Sequence, residues 1–153
     1  MTKLDLGCSR KKKEGYIGID IFDWSSIYSK EKFICGRIPN VLEKYKNNSV
    51  EELRAYHILE HISQKDVIHT MNEVYRILIP NGIFEINIPP TTGRGAFCDP
   101  THVSFWNDKS WQYYDMTWCR ELSESYGIKC DFQVLENRLL SEFDLHVILK
   151  KRG

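Results

Sequence analysis

The sequence predicts an α/β sandwich whose sheet is mostly parallel, with an antiparallel strand pair at its edge. Three observations carry this expectation. Short apolar strands open the chain, a strongly periodic helix separates two of them, and two cleanly alternating strands finish it. Strands joined by crossovers pair in parallel, whereas strict alternation marks antiparallel strands with one face buried.

The elements follow in order. Lys3–Leu6 is a short apolar strand ending at Gly7, and Tyr16–Ile21 is a second, with Asp20 at its end. Phe33–Cys35 is a plausible third strand. Val50–His57 is a fourth, with Val50, Leu53 and Ala55 between charged residues. Ser63 and Asp66 then make a near capping box, after which Val67, Ile68, Met71, Val74, Tyr75 and Leu78 recur at helical spacing. Pro80-Asn81-Gly82 stops that helix, and Gly82–Ile88 reads as a buried strand with Phe84, Ile86 and Ile88 on one face. Asn107–Tyr114 and Trp118–Tyr126 read as short helices, the second ended by Gly127. Ile128, Cys130, Phe132 and Val134 share a face of one closing strand, and Phe143, Leu145, Val147 and Leu149 share a face of the other.

The whole chain, residues 1–153, is expected to form a single domain, since no linker, repeat or low-complexity tract interrupts it. Lys plus Arg (21) equals Asp plus Glu (21), so nucleic acid is not expected as an obligatory partner. No apolar run approaches the roughly 20 residues that span a bilayer, and no signal peptide is read at the N-terminus. The five cysteines are scattered, with no C-x-x-C pair, as in a reduced cytoplasmic protein.

In sheets of this kind ligands bind beyond the carboxyl ends of the central strands. Those ends carry the most specific residues of the chain. Leu4-Asp5-Leu6-Gly7-Cys8-Ser9 resembles the L-D-L-G-C-G strand-to-loop motif of class I S-adenosylmethionine-dependent methyltransferases. Asp20 matches the acid that receives the cofactor ribose in that family, and His57-Ile58-Leu59-Glu60-His61 resembles its L-E-H segment. Arg76 to Gly82 resembles R-x-L-x-P-G-G, and Asp99-Pro100-Thr101-His102-Val103 resembles a D-P-x-H element of small, methyltransferase-11-like members. The resemblance implies a Rossmann-like three-layer sandwich that binds S-adenosyl-L-methionine. It places Leu6, Gly7, Cys8, Ser9, Asp20, Ile21, Tyr56, His57, Ile58 and Leu59 along the cofactor.

Three departures from the family pattern bear on the cofactor. Ser9 stands where a second glycine is usual. Only Gly7 to Tyr16 joins the first two strands, near or below the minimum for a helical crossover. The third strand ends in Gly36 and Arg37, where relatives offer an acid to adenine. The short crossover argues against a dinucleotide, whose pyrophosphate needs a helix N-terminus behind G-x-G-x-x-G. Gly7-Cys8-Ser9-Arg10-Lys11-Lys12 does not supply that fingerprint.

Methyl transfer needs an acceptor to be positioned and deprotonated, and histidine suits the second task. His102 is read as the general base or substrate-orienting group, Asp99 as a group that orients either His102 or the substrate, and His61 as a further candidate. Structural readings stand beside these: an Asp-Pro turn for Asp99, and a cap on the helix entry for Glu60 and His61. Phe105 and Trp106, in an aromatic-rich stretch, are expected either to wall a substrate or to cover the sheet. The acceptor is expected to be a small molecule or glycan precursor, with no metal among the site residues.

Two alternatives remain open. Glu60, His61 and His102, with His57, also resemble the metal site of small-RNA ribose methyltransferases, where His57 replaces a glutamate. Ser9 and Gly36 would also suit a non-catalytic cofactor-binding scaffold. A sheet face left bare by a missing first helix would favour a homodimer.

Overall fold

The computed structural model describes residues 1–153. Seven strands form one sheet: β1 (Thr2–Leu6), β2 (Ile17–Asp20), β3 (Phe33–Cys35), β4 (Val50–Tyr56), β5 (Leu78–Ile88), β6 (Phe132–Leu139) and β7 (Leu145–Lys151). Their spatial order is β3-β2-β1-β4-β5-β7-β6. The first five run parallel, and β7 pairs antiparallel with both β5 and β6. The strand order reverses between β1 and β4, so a crevice opens there beyond their carboxyl ends.

Register places one apolar row across the sheet. Leu4 lies opposite Leu53, Leu53 opposite Phe84, and Phe84 opposite Leu149. Against this face packs α1 (Gln64–Ile77), through Met71, Val74 and Ile77. The aromatic segment completes the cover, with Trp106 and Trp111 stacked at 4.9 Å and an interplanar angle of 18°. These groups form one buried cluster of 27 residues.

The opposite face is built differently. The β1–β2 crossover holds only a three-residue 3₁₀ turn, Ser9–Lys11, and no helix joins β2 to β3, whereas the turns Leu42–Lys44 and Leu59–His61 bury Leu42 and Leu59 in the cluster on the α1 side. The helical layer of that side is therefore reduced, and the sheet presents a lattice of polar side chains instead. Lys3 pairs with Glu52 at 2.6 Å, and the Tyr16 hydroxyl donates to Glu52. The Arg54 guanidinium lies over the Tyr56 ring at 3.9 Å, and the Tyr56 hydroxyl donates to Glu85 at 2.6 Å. His146 lies within 3.3 Å of Glu85 and 2.9 Å of Glu136.

Several element boundaries differ from expectation, each for an identifiable reason. The expected strand Ile128–Val134 begins only at Phe132 and runs on to Leu139. Ile128 and Cys130 are buried, but the backbone there is tied to a side chain. Asn72 of α1 donates to the Gly127 carbonyl and accepts from the Lys129 amide, at 2.9 and 2.8 Å. Phe143 lies before β7, in a turn closed by Leu140 N–H donating to Asp144 O at 2.8 Å. The long helix ends at Ile77 because Leu78 already pairs with Val50. Asn107–Tyr114 contains only a 3₁₀ helix, Ser110–Tyr114. The short α2 (Gly95–Cys98) precedes it, and α3 (Met116–Ser125) follows, capped by Asp115 accepting from Thr117 N–H. No helix is long and apolar enough to cross a membrane.

Phe84 is fully buried at the centre of the apolar row. Phe84→Ala is expected to lower the unfolding free energy by about 3–5 kcal/mol, read by urea denaturation. On the polar face, hydrogen bonds from Lys3 and Tyr16 hold the Glu52 carboxyl below its ordinary value of 4.5. The stability this contributes is present above the unfolded value and is lost as pH falls through the lower native one. Glu52→Gln should flatten that part of the acid-unfolding profile, measured by urea midpoints at neutral and acid pH.

Candidate functional site

The carboxyl ends of the parallel strands converge on a cavity of about 560 Å³. Gly7 brings the end of β1 to it, Asp20 and Ile21 the end of β2, Gly36 the end of β3, and His57 and Ile58 the end of β4. The wall continues through Phe22, Trp24 and Ile38 on one side and His61, Ser63, Asp66 and Thr101 on the other.

The loop after β1 is shaped by two carboxylates. Gly7 turns with φ 65°, and a Cβ there would meet the Ile58 side chain at 2.8 Å. Only glycine both takes that conformation without cost and leaves that space. Ser9 N–H then donates to Asp20 Oδ2, and Phe22 N–H donates to Asp20 Oδ1, each at 2.9 Å. Asp20 thus already organises both loops that border the cavity. One lone pair on each oxygen remains for a ligand hydroxyl. Asp5, one strand inward, accepts from Lys13 N–H at 2.7 Å and closes the return of the crossover. Burial pushes its carboxyl above the usual range, against that hydrogen bond and the nearby Arg54.

Two residues on the cavity wall hold strained backbone. Ser9 has φ 51° and His57 has φ 52°, the left-handed region that costs a non-glycine residue roughly 1–2 kcal/mol. Ser9 therefore adopts the conformation that the more usual glycine reaches freely. Such strain clusters where backbone must meet a ligand.

The expected cofactor residues divide into two groups. Gly7, Ser9, Asp20, Ile21, His57 and Ile58 line the cavity. Leu6 and Leu59 are buried in the main cluster instead. The buried Cys8 thiol faces β2, where a side chain on Gly18 would collide with it at 2.6 Å. Tyr56 turns onto the polar face of the sheet, toward Glu85. Leu6, Cys8 and Leu59 thus turn into the protein, and Tyr56 follows the alternation of β4 onto the sheet's polar face. Phe22, Trp24, Ile38, Ser63 and Asp66 were not foreseen. The first three come from loops without periodic pattern, and the last two read as a helix cap.

On the far wall, the turn Leu59–His61 is locked to the segment Asp99–Trp106. Val103 and Ser104 N–H groups both donate to the Glu60 carbonyl, at 2.8 and 3.1 Å, and the Ser104 hydroxyl donates to the Leu59 carbonyl at 2.7 Å. This lock brings the His61 and His102 rings edge to face at 4.9 Å. His102 Nδ1 lies 3.0 Å from the Ala96 carbonyl, so it carries the proton and Nε2 keeps its lone pair. The Thr101 hydroxyl donates to Asp99 at 2.7 Å and so accepts from His61 Nδ1 at 3.2 Å, which frees Nε2 of that ring too.

Asp99 does not orient His102. Its Oδ2 is 3.7 Å from Nε2, beyond hydrogen-bond range, while Oδ1 accepts from the Thr101 amide and hydroxyl. Those hydrogen bonds hold its carboxyl below the usual range, as in an Asp-Pro turn. Trp106 is 4% exposed, donates its indole N–H to Ser104 and packs in the core away from this cavity, although with Phe105 it borders a second cavity of about 350 Å³. Phe105 is half-exposed and stacks on Phe97 at 5.2 Å, outside the first cavity. His57 bridges the turn to the β6–β7 connection, with Nε2 3.0 Å from Asp144. Glu60 beside it, with Asp144, holds the His57 imidazole above its usual range.

Burial also pushes the Cys8 thiol up to about 12, so it is a packing residue and not a nucleophile. Alkylation of the native protein should label exposed Cys35 and Cys98 and spare Cys8 and Cys130, with all five labelled after unfolding, as read by mass spectrometry.

No protein-family model matches the chain, and no curated protein matches its sequence. Solved structures do match. A SAM dependent methyltransferase from Archaeoglobus fulgidus superposes with a TM-score of 0.69 at 15% identity, covering 98% of this chain and 86% of that one. The Burkholderia thailandensis 1,6-didemethyltoxoflavin-N1-methyltransferase, bound to 1,6-didemethyltoxoflavin and S-adenosylhomocysteine, superposes at 0.65 and 14% identity, covering 99% and 71%. Phosphoethanolamine N-methyltransferase 1 of Haemonchus contortus, bound to phosphoethanolamine and S-adenosylhomocysteine, superposes at 0.64 and 13% identity, covering 99% and 39%. The fold is therefore the Rossmann-like fold of these methyltransferases.

Proposed function

We propose that this protein transfers a methyl group from S-adenosyl-L-methionine to an oxygen or nitrogen of a small molecule or glycan precursor. The observation that carries the reading is the cavity at the strand-order reversal, with Asp20 at the end of β2 facing a loop that has no α-helix behind it. A three-residue 3₁₀ turn offers little dipole to a pyrophosphate, whereas a nucleoside sulfonium carries no phosphate and loses nothing by its absence. Asp20 would receive the ribose hydroxyls. Phe22, Trp24 and Ile38 offer an apolar wall to the adenine, in place of the acid that Gly36 and Arg37 do not supply.

The methionine end would then pass Gly7, where the absent side chain permits close approach, and point toward His57 and His61. The acceptor belongs on that side, at His61 and His102. Their free Nε2 atoms suit removal of a proton as the nucleophile attacks the sulfonium methyl in line. Asp99 supports the loop that presents both rings. The balanced net charge favours a small acceptor over nucleic acid, and five free cysteines favour a reducing compartment such as the cytoplasm.

Calorimetric titration of S-adenosylhomocysteine tests the reading. Wild type is expected to bind it and to ignore NADH, and Asp20→Ala is expected to bind at least about tenfold more weakly, the loss of one or two hydrogen bonds to a charged acceptor. Both Asp20 oxygens accept from loop N–H groups, which Asn could not reproduce, so circular dichroism and urea denaturation check that Asp20→Ala keeps its fold. Absence of binding by wild type at millimolar ligand would overturn the proposal.

A further inference from the structure

We propose that Glu60, His61 and His102 form a binding site for one divalent first-row transition-metal ion. One carboxylate oxygen and one ring nitrogen from each histidine lie within 4.8 Å of one another. The site goes beyond the methyl-transfer reading, and metal uptake does not depend on it.

Glu60 is the first reason. It is 2% exposed, and neither carboxylate oxygen has a hydrogen-bond partner. The nearest cationic group is His57 Nδ1, 3.4 Å from Oε1, and that ring already engages Asp144 through Nε2. A buried carboxylate that makes no hydrogen bond and has one shared imidazole beside it is costly, and a cation held at the same place lowers that cost. The Glu60 backbone is fixed beside the two histidines, its carbonyl accepting from both Val103 and Ser104.

The hydrogen bonding of the two imidazoles is the second reason. Each ring gives its Nδ1 proton to a fixed oxygen, the Ala96 carbonyl for His102 and the Thr101 hydroxyl for His61. That arrangement selects the tautomer with Nε2 unprotonated, as a metal ligand requires, and matches the outer partners that ligating histidines ordinarily have. Metal bonds of 2.0–2.2 Å place tetrahedral ligands about 3.4 Å apart, so the three groups need close by only about an ångström or so.

Chemistry and exposure choose the ion. Two imidazoles and one carboxylate suit zinc, manganese, iron or cobalt rather than magnesium or calcium, which prefer an all-oxygen shell. Glu60 closes the buried side, while exposed His61, which also lines the cavity, leaves the outer coordination positions open to solvent. If methyl transfer takes place in the cavity, and this clause rests on that reading, Glu60, His61 and His102 would hold the ion, which would supply Lewis-acid polarisation to an acceptor oxygen and so ease loss of its proton.

Titration of chelator-treated protein with Co²⁺, followed by visible d–d absorption, tests the site. Wild type is expected to take up one Co²⁺ per chain, to release it to Zn²⁺, and to be indifferent to excess Mg²⁺. Glu60→Gln and His61→Ala should each weaken uptake by more than about tenfold. His69→Ala, on the exposed face of α1, should leave it unchanged. His61 is exposed, so its variant carries the test even if Glu60→Gln fails to fold, as judged by circular dichroism. No uptake by wild type, thiolate charge-transfer bands, or full uptake in a folded His61→Ala would each overturn the proposal. Parallel titration with S-adenosylhomocysteine separates the outcomes, since Co²⁺ uptake without nucleoside binding leaves the metal site standing and removes the methyl-transfer reading.

Discussion

The ten-residue connection between β1 and β2 constrains the rest of this molecule. A parallel crossover that short cannot carry an α-helix, so its backbone must be satisfied by side chains. Asp5 and Asp20 do this, accepting from Lys13, Ser9 and Phe22. Lys12 folds back over β2 and donates to the Tyr16 carbonyl at 2.9 Å. Gly18 makes that path sterically open, since a Cβ there would strike both Cys8 and Lys12. The consequence reaches across the sheet. Without a first helix, one face must remain compatible with water, and the Lys3–Glu52–Tyr16 and Tyr56–Glu85–His146 contacts give it a paired polar surface.

The second organising feature is the lock between the Leu59–His61 turn and the segment beginning at Asp99. Three hydrogen bonds to the Leu59 and Glu60 carbonyls fix the two pieces together. Trp106 is drawn inward by the same lock, through its bond to Ser104 and its stack on Trp111. The aromatic segment therefore serves the site indirectly. Its rings seal one face of the sheet, and the chain just before them delivers Thr101 and His102 to the edge of the cavity.

These two features meet at the ends of β1 and β4, where Ser9 and His57 hold left-handed backbone. Strain, a buried carboxylate with no hydrogen bond and only the His57 imidazole beside it, and two imidazoles of fixed tautomer all occur within a few residues of one cavity. Backbone strain and unsatisfied polar groups gathered around one concave site are what a ligand site is expected to show.

How much of this was legible in the residues depends on the range of the interaction involved. The sequence by itself determined the fold class, the parallel-then-antiparallel order of strands, the short first crossover and the strand ends where chemistry gathers. These rest on local periodicity and on punctuation by Gly7, Asp20 and Gly82, which act over a few residues. The tertiary structure alone decided which of the strand-end residues reach the cavity and which turn away from it, Leu6, Cys8 and Leu59 into the interior and Tyr56 onto the polar face. It also decided that Asn72 would hold Gly127 and Lys129 out of β6, that Asp99 would serve its own turn, and that Glu60 would be buried without a donor. Each of those outcomes joins groups far apart in the chain or turns on the exact direction of a side chain. Spacing along the sequence carries neither kind of information, because both are settled only when the sheet, α1 and the aromatic segment pack together.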